Sequence, residues 1–314
     1  MANTEPAGGP AIHSLDHFCL SVPDLEVARS FYTEFGLDVR DAGGTLELYT
    51  FGNPHRWGVI RQGGARKKLE YVSFGVFKGE LEAFRQKFEA LGVEITGTPA
   101  MGEDGGIWFR NLDGMAMQVI EAEKCSPDTK AQFLTQSVGP GECAAVPRSK
   151  APRVHPRRLS HFLIFTSDVM RDIAFYEKTL GLKLSDRSAD AVAFMHGVHG
   201  SDHHLLALAG SAGPGMHHCS WDVGTIQEVG VGGSHMASLG FDKGWGVGQH
   251  VLGANYFHYV PDPWGSYAEY SCDIDFIPAG HDWPAGNHPP EDSMFLWGPA
   301  LPDNFITNFE LQDA

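Results

Sequence analysis

Basic residues are scarce in this chain. Lys and Arg number 23 against 39 Asp and Glu, a formal charge of −16 at pH 7, and a small basic cluster runs from Arg148 to Arg158. A polyphosphate would meet repulsion along almost the whole sequence, which argues against a nucleic-acid partner. Long apolar runs are missing as well, since no stretch approaches the roughly 20 residues needed to span a bilayer. Met1 to Pro10 carries neither a positively charged segment nor an apolar one, so a cytoplasmic protein with no membrane partner is expected. Cysteine is sparse and unpatterned: Cys19, Cys125, Cys143, Cys219 and Cys272 are odd in number and form no C-x-x-C pair. That argues against a disulfide framework or a zinc knuckle and fits a reducing compartment. The glycine-rich stretch Gly230-Val231-Gly232-Gly233 lacks the context of a phosphate loop.

What is present is an apolar fraction of 42%, with 20% charged residues, over a length of 314, enough for two cored domains. The chain also repeats itself. Leu15-Asp16-His17-Phe18 returns as Leu159-Ser160-His161-Phe162, Asp24 as Asp168, Phe31-Tyr32 as Phe175-Tyr176, and Gly36-Leu37 as Gly181-Leu182. Each copy opens on an alternating apolar run with strand period, Phe18 to Val22 or Phe162 to Phe165, and continues in helical spacing up to Gly36 or Gly181, whose backbone freedom suits a helix C-cap. β-rich runs follow, around Leu46 to Phe51 and Trp57 to Ile60 in the first copy and around Val192 to Met195 and Leu205 to Leu208 in the second. The pattern is a βαβββ module. A second pair spans Leu69 to Ile120, with a helix near Glu80 to Leu91, and His217 to Ser271, with a helix near Ile226 to Leu239.

The expectation is therefore an α+β fold of four βαβββ modules paired into two similar domains. Residues 1–125 form a non-catalytic domain, 126–157 a linker rich in Pro, Ser and charge, and 158–276 a metal-binding catalytic domain. Residues 277–314 form an irregular tail that docks by Trp283, Phe295 and Trp297 and is a candidate lid.

Three segments of the second half each carry a residue able to hold a metal: His161, His218 and Glu269. Two imidazoles and one carboxylate make up the facial triad of non-haem Fe(II) oxygenases and leave coordination positions open for substrate and dioxygen. In the repeat alignment His17 lies opposite His161, but Tyr71 lies opposite His218 and Gln118 opposite Glu269, so the first half cannot assemble the set. Strand alternation lets only one of His217 and His218 face a metal, and His217 is expected on the opposite face.

The run from Gly248 to Glu269 contains Gly248, His250, Tyr259, Asp262, Pro263, Gly265 and Glu269 in the order Gly, any residue, His, spacer, Tyr, two residues, Asp-Pro, any residue, Gly, Glu. With the modules and ligands, it resembles the signature of the type I extradiol ring-cleaving dioxygenases of the vicinal oxygen chelate superfamily, which share the glyoxalase/bleomycin-resistance-like fold. These enzymes of aromatic catabolism open catechols beside their two hydroxyls. One position departs: His258 stands where the signature has an aliphatic residue or Phe, and it either adds a polar group to the site or faces away along the strand.

The resemblance implies that His161, His218 and Glu269 ligate Fe(II), with Mn(II) as the alternative metal, and that dioxygen is a co-substrate. It implies His204 as the acid/base residue, with His203 as the alternative, and His250 and Tyr259 as hydrogen-bonding partners of the bound catecholate or oxygen species. It selects His196, with its neighbour Met195, for the ring pocket. Leu163, two residues past His161 on the same strand face, joins them. The family also implies a homo-oligomer acting on a small aromatic diol, here a substituted catechol or a trihydroxylated aromatic such as a trihydroxytoluene. Two other readings stay open: a glyoxalase-like enzyme using a divalent ion as Lewis acid, and a non-enzymatic small-molecule-binding relative.

Overall fold

The computed structural model describes residues 9–134 and 138–311. The first half runs β1 (Ser14–Val22), α1 (Leu25–Phe35), β2 (Asp38–Asp41), β3 (Thr45–Thr50) and β4 (Asn53–Gln62), then β5 (Lys68–Val76), α2 (Leu81–Leu91), β6 (Ile95–Thr96), β7 (Ile107–Arg110) and β8 (Ala116–Glu121). The second half repeats it with β9 (Arg158–Thr166), α3 (Val169–Leu180), β10 (Leu182–Ser188), β11 (Val192–Gly197), β12 (Ser201–Asp202) and β13 (Leu206–Gly210), then β14 (Gly215–Asp222), α4 (Ile226–Ser238), β15 (Trp245–Gln249), β16 (Tyr256–Pro261) and β17 (Tyr267–Cys272). Two short strands follow, β18 (Phe276–Ile277) and β19 (Gly286–His288).

Local chemistry sets the helix ends. The Asp24 carboxylate accepts the Glu26 and Val27 N–H groups at the start of α1, and Asp168 accepts the Arg171 N–H at the start of α3. Gly36 and Gly181 close these helices with φ of 106° and 70°. Both glycines are also required by packing. A Cβ on Gly36 would lie 2.0 Å from the Val154 carbonyl oxygen, and one on Gly181 would lie 2.5 Å from the Ala11 Cβ. The segment preceding each half's first strand thus lies against the end of the other half's helix.

Each half forms one large sheet, in the order β2-β3-β4-β1-β5-β8-β7-β6 and β15-β16-β17-β14-β9-β13-β11-β10-β19, and β12 and β18 form a separate two-stranded sheet. In every module the first strand pairs parallel with the last, β1 with β4, β5 with β8, β9 with β13 and β14 with β17. Antiparallel pairing of β1 with β5 and of β9 with β14 joins the modules of each sheet. The repeat-equivalent rings of Phe18 and Phe162 meet at 5.0 Å between centroids, and Phe35 stacks on Tyr270 at 4.0 Å, so a continuous aromatic core joins the halves. The tail begins with strands rather than as the irregular segment expected: β18 pairs with β12, and β19 extends the second sheet beside β10. Among the described residues no helix is long and apolar enough to cross a membrane.

The register carries irregularities that position the site. Ser160 on β9, His217 on β14 and Ser185 on β10 are each an extra residue opposite a regular partner strand. A bulge of this kind lets two successive side chains project to the same side.

Candidate metal centre and cavity

Three adjacent strands build the centre. Ser220 on β14 lies opposite His161 of β9 on one side and Glu269 of β17 on the other, so these two side chains flank it in one row. His218 lies two residues along β14, on the same face. All three candidate ligands are buried. His161 Nε2 is 3.2 Å and His218 Nε2 is 3.7 Å from the Glu269 Oε2. Neither His218 Nε2 nor Glu269 Oε2 has a hydrogen-bond partner. A buried carboxylate oxygen left without a donor costs free energy unless something positive completes it.

Hydrogen bonds behind the histidines settle which nitrogen is bare. His217 Nε2 donates to the Phe305 carbonyl at 2.8 Å, so in the neutral ring its Nδ1 is an acceptor and takes the proton of His218 Nδ1 at 2.6 Å. That leaves a lone pair on His218 Nε2. The Ser160 hydroxyl donates to Asp202 Oδ2 at 2.8 Å and can therefore only accept from His161 Nδ1 at 3.3 Å, which leaves His161 Nε2 bare too. Arg158 holds Asp202 with two hydrogen bonds. Asn255 Nδ2 donates to Glu269 Oε1 at 3.2 Å and steadies the carboxylate. Two bare imidazole nitrogens and one unsatisfied carboxylate oxygen fit a divalent transition-metal ion.

Two other places test that inference. In the first half Tyr71 and Gln118 occupy the equivalent register positions, with Tyr71 opposite Ala116 and Ser73 opposite Gln118. There His17 Nε2 meets the Tyr71 hydroxyl at 3.3 Å, Gln118 is satisfied by Ser73 and Gly105, and Tyr71 is packed with Cys19, Val59 and Trp108. Asp16, His55 and Cys125 also lie close enough to share an ion. Their ligand atoms are already engaged, however: Asp16 Oδ2 with His17, His55 Nε2 with the Asp16 carbonyl and the Cys125 thiol with the Leu15 carbonyl.

Beside the triad lies a cavity of about 290 Å³. Its wall includes His161, Leu163, His204, His218, His250 and Tyr259 from the residues singled out in the sequence. Met195 and His196 do not reach it. Met195 points into the core, and His196, at the end of β11, turns to Ser185, its Nδ1 2.7 Å from the hydroxyl. Val192 and Phe194 of the same strand form that wall instead, packed with Leu163, Phe165, Ala207 and Ala209. His204 lines the cavity while His203 stands behind it. The tail contributes Pro290, Ser293, Met294, Phe305 and Ile306.

Two alternation-based expectations resolve differently. His217 does not point to the opposite face: the bulge turns it to the same side, against the His218 ring at 4.9 Å and onto the cavity wall. His258 faces away from the cavity and presses on α4, where a Cβ on Gly233 would lie 2.6 Å from its ring.

Electrostatics favour uncharged rings. Burial holds His204 and His218 well below the usual histidine pKa, with neighbouring imidazoles adding to the effect, and it lowers His250 as well. Burial, and then Glu269, pushes the Tyr259 hydroxyl well above 10, so it keeps its proton. His250 Nδ1 donates to the Met294 carbonyl at 2.8 Å, so its Nε2 accepts the Tyr259 O–H at 2.9 Å.

A model of the Glyoxalase/Bleomycin resistance protein/Dioxygenase superfamily matches residues 14–119 and again 158–270. The chain belongs to this superfamily. Within it, the chain is 48% identical over 307 residues to Metapyrocatechase 2 of Cupriavidus necator, covering 97% of this chain and 95% of that protein. An extradiol ring-cleaving dioxygenase from B. fuscum shares the fold at a TM-score of 0.75, with 21% identity over 96% of this chain and 84% of that one. So does a Mn(II)-bound glyoxalase from Novosphingobium aromaticivorans, at a TM-score of 0.72 and 20% identity over 92% of each chain. The superfamily fold thus serves more than one chemistry, and the site must decide between them.

Proposed function

We propose that this chain is an extradiol dioxygenase that cleaves a catechol-type ring beside its two hydroxyls, with dioxygen as co-substrate and Fe(II) held by His161, His218 and Glu269. The observation that carries the reading is the bare pair of Nε2 atoms facing an unsatisfied Glu269 oxygen beside an apolar cavity. Its support is the near full-length relationship to Metapyrocatechase 2. Bound Fe(II) would acidify the diol and provide a path for electrons between ring and oxygen. Mn(II) accepts the same donor set and is the alternative.

The chain's own residues do the rest. Leu163, Val192, Phe194, Leu252 and Phe305 exclude water and hold an aromatic ring at the triad. His204, neutral and on the cavity wall, is the base for the second diol proton and the acid that later returns it. His203 has no place on the wall, which favours His204 for this role. Tyr259 serves charge that develops on the substrate oxygens by turning its one O–H from His250 Nε2, where it rests, to the bound oxygen. No Lys or Arg lines the cavity among the described residues, which supports a small substituted catechol or a trihydroxylated aromatic over a carboxylated diol. All five cysteines are unpaired, in keeping with the cytoplasm. Exposed Leu296, Trp297 and Ile306 on the tail offer apolar surface for a homo-oligomer.

The test is oxygen uptake by anaerobically prepared, Fe(II)-loaded protein on catechol, methylcatechols, 2,3-dihydroxybiphenyl and a trihydroxytoluene, with visible absorbance recorded. Iron-dependent uptake with the chromophore of a ring-opened product is expected. Absence of uptake by fully iron-loaded protein on all of them would overturn the oxygenase reading in favour of Lewis-acid chemistry.

A further inference from the structure

We propose that Asp186 and His203 form a positioning relay that fixes His204 with its proton on Nδ1 and its Nε2 lone pair toward the cavity, and that the tail segment Trp283–His288 locks the outer end of that relay. The inference deepens the oxygenase reading, because it rests on His204 as the base.

The relay is a chain of short contacts between buried groups. His204 Nδ1 lies 3.1 Å from His203 Nδ1, and His203 Nε2 lies 2.8 Å from Asp186 Oδ2. A carboxylate only accepts, so His203 Nε2 donates to it. Two nitrogens facing each other share one hydrogen. With His203 uncharged, its Nδ1 has only a lone pair, and the shared hydrogen belongs to His204. His204 Nε2 is then the basic atom left for the substrate. The same donor logic that bares Nε2 of the two candidate ligands bares Nε2 of the base. The bulge at Ser185 supports the arrangement, since the Ser185 hydroxyl donates to the His203 carbonyl at 2.5 Å and so fixes the backbone that carries both rings.

The carboxylate is held from the tail. Asp186 Oδ1 accepts the Gly286 N–H at 2.8 Å and His288 Nε2 at 2.9 Å, and Oδ2 also accepts Trp283 Nε1 at 3.2 Å. Although burial pushes Asp186 up, the hydrogen bonds from His203, His288 and Gly286 hold it at about 2, so the carboxylate stays charged. Asp186 pairs in register with Gly286, and a Cβ there would lie 2.8 Å from Asp186 Oδ1 and 2.3 Å from His288 Nε2. A larger residue at Gly286 would have to push the His288 ring or the carboxylate aside. A carboxylate with three tail donors and one imidazole resembles the orienting end of a catalytic triad, in which the acid holds a histidine in one tautomer. Here the orientation passes through one further ring.

The experiment is two-bond ¹⁵N–¹H correlation of the imidazoles in metal-free, ¹⁵N-histidine-labelled full-length protein, wild type and Asp186→Asn, paired with kinetics of the Fe(II)-loaded forms. Wild type should show His204 protonated on Nδ1 and His203 protonated on Nε2. Asp186→Asn should mix the tautomers and lower kcat about 10- to 100-fold per bound iron, a part of the roughly 10²- to 10⁴-fold that general-base catalysis contributes in full, with KM changed less than about threefold. Asp186→Glu, which restores a carboxylate, should recover part of the kcat. Trp283→Phe, which removes one of the four donors, should act in the same direction more weakly. An Nε2-protonated His204 or a doubly protonated His203 in wild type overturns the proposal. So does an Asp186→Asn variant whose tautomers and kcat per iron are unchanged while only its melting temperature falls. If wild type consumes no oxygen with any diol, the oxygenase reading fails and the tautomer measurement alone decides the relay.

Discussion

Replacing His217 with Phe should weaken metal binding without a contact to the metal. The change keeps a ring of similar size among Phe165, Tyr267 and Phe305, which pack around the imidazole at 4.8 to 5.5 Å. What it removes is the acceptor for the His218 Nδ1–H and the donor to the Phe305 carbonyl. His218 is buried, so a stranded N–H there costs about 1–3 kcal/mol. The ring has one escape, which is to carry its proton on Nε2 instead, but that closes the ligand position. Either way the penalty falls on the metal-bound state. At about 1.4 kcal/mol per tenfold, the expected loss of affinity is roughly 5- to 150-fold, in line with partners that orient ligating histidines elsewhere.

The assay is anaerobic competition for Fe(II), or redox-silent Zn(II), against a chromophoric chelator, alongside thermal melting of the metal-free protein. The metal-free melting temperature should fall only by what the lost bond to the Phe305 carbonyl costs, because free His218 can take the other tautomer, while the dissociation constant rises in addition. His217→Gln, which offers both an acceptor and a donor, should restore much of the affinity. Equal affinities of wild type and His217→Phe, with both proteins folded, would refute the tautomer argument for the whole centre.

Lys67 and Asp262 form an ion pair at 2.7 Å with both side chains 2% exposed, so Lys67→Met, which leaves the buried carboxylate without its cation and held only by the Trp264 and Ser266 N–H groups, should destabilise the protein by about 3–5 kcal/mol in urea unfolding. His13, His196 and His258 are each lowered by burial to about 4. The unfolded chain takes up their protons below about 6.5, so the stability they contribute is full above that pH and is lost as pH falls toward 4. The slope approaches about 1.4 kcal/mol per pH unit for each. Urea midpoints should therefore drop between pH 7 and 5, and His258→Phe should flatten the slope; an unchanged slope would mean that His258 is not held neutral. Since no cationic side chain lines the cavity among the described residues, adding a carboxylate to an accepted catechol should lower kcat/KM by at least about tenfold, as expected for a buried unpaired charge. Equal turnover of both diols would show that a cation reaches the site.

The duplication, the order of modules and the superfamily were legible because they are written in residue types at fixed intervals. His161, His218 and Glu269 were legible for the same reason, together with the absence of matching donors at Tyr71 and Gln118. What escaped was the placement of neighbours. Strict alternation sends His217 away from His218, yet the extra residue on β14 returns it to the same side. Counting back from His204 selects His196, yet near the end of β11 that ring turns to the Ser185 hydroxyl, and Phe194 takes the position on the cavity wall. A bulge changes the count of backbone residues between two strands and needs no particular side chain, so it leaves little trace in composition. The adjacent pairs His203-His204 and His217-His218 were the one visible hint, since two imidazoles in sequence are what a ring-to-ring relay requires.

The first half explains why the bulges belong to the scaffold rather than to the chemistry. Asp16 is an extra residue on β1, as Ser160 is on β9, and Glu70 is an extra residue on β5, as His217 is on β14. Asp16 still grips His17 Nδ1, at 2.6 Å, as Ser160 meets His161 Nδ1, and His17 Nε2 still faces inward. The backbone device that orients a ligand histidine has therefore been kept in a module that holds no triad. Two side chains, Tyr71 and Gln118, stand where the second half has an imidazole and a carboxylate. Tyr71, packed against Trp108 at 4.9 Å, occupies the space that the other half leaves for a ligand. The candidate metal centre thus depends on donor identity and free volume placed on a common frame, which is how one half can present the donor triad and the other only its scaffold.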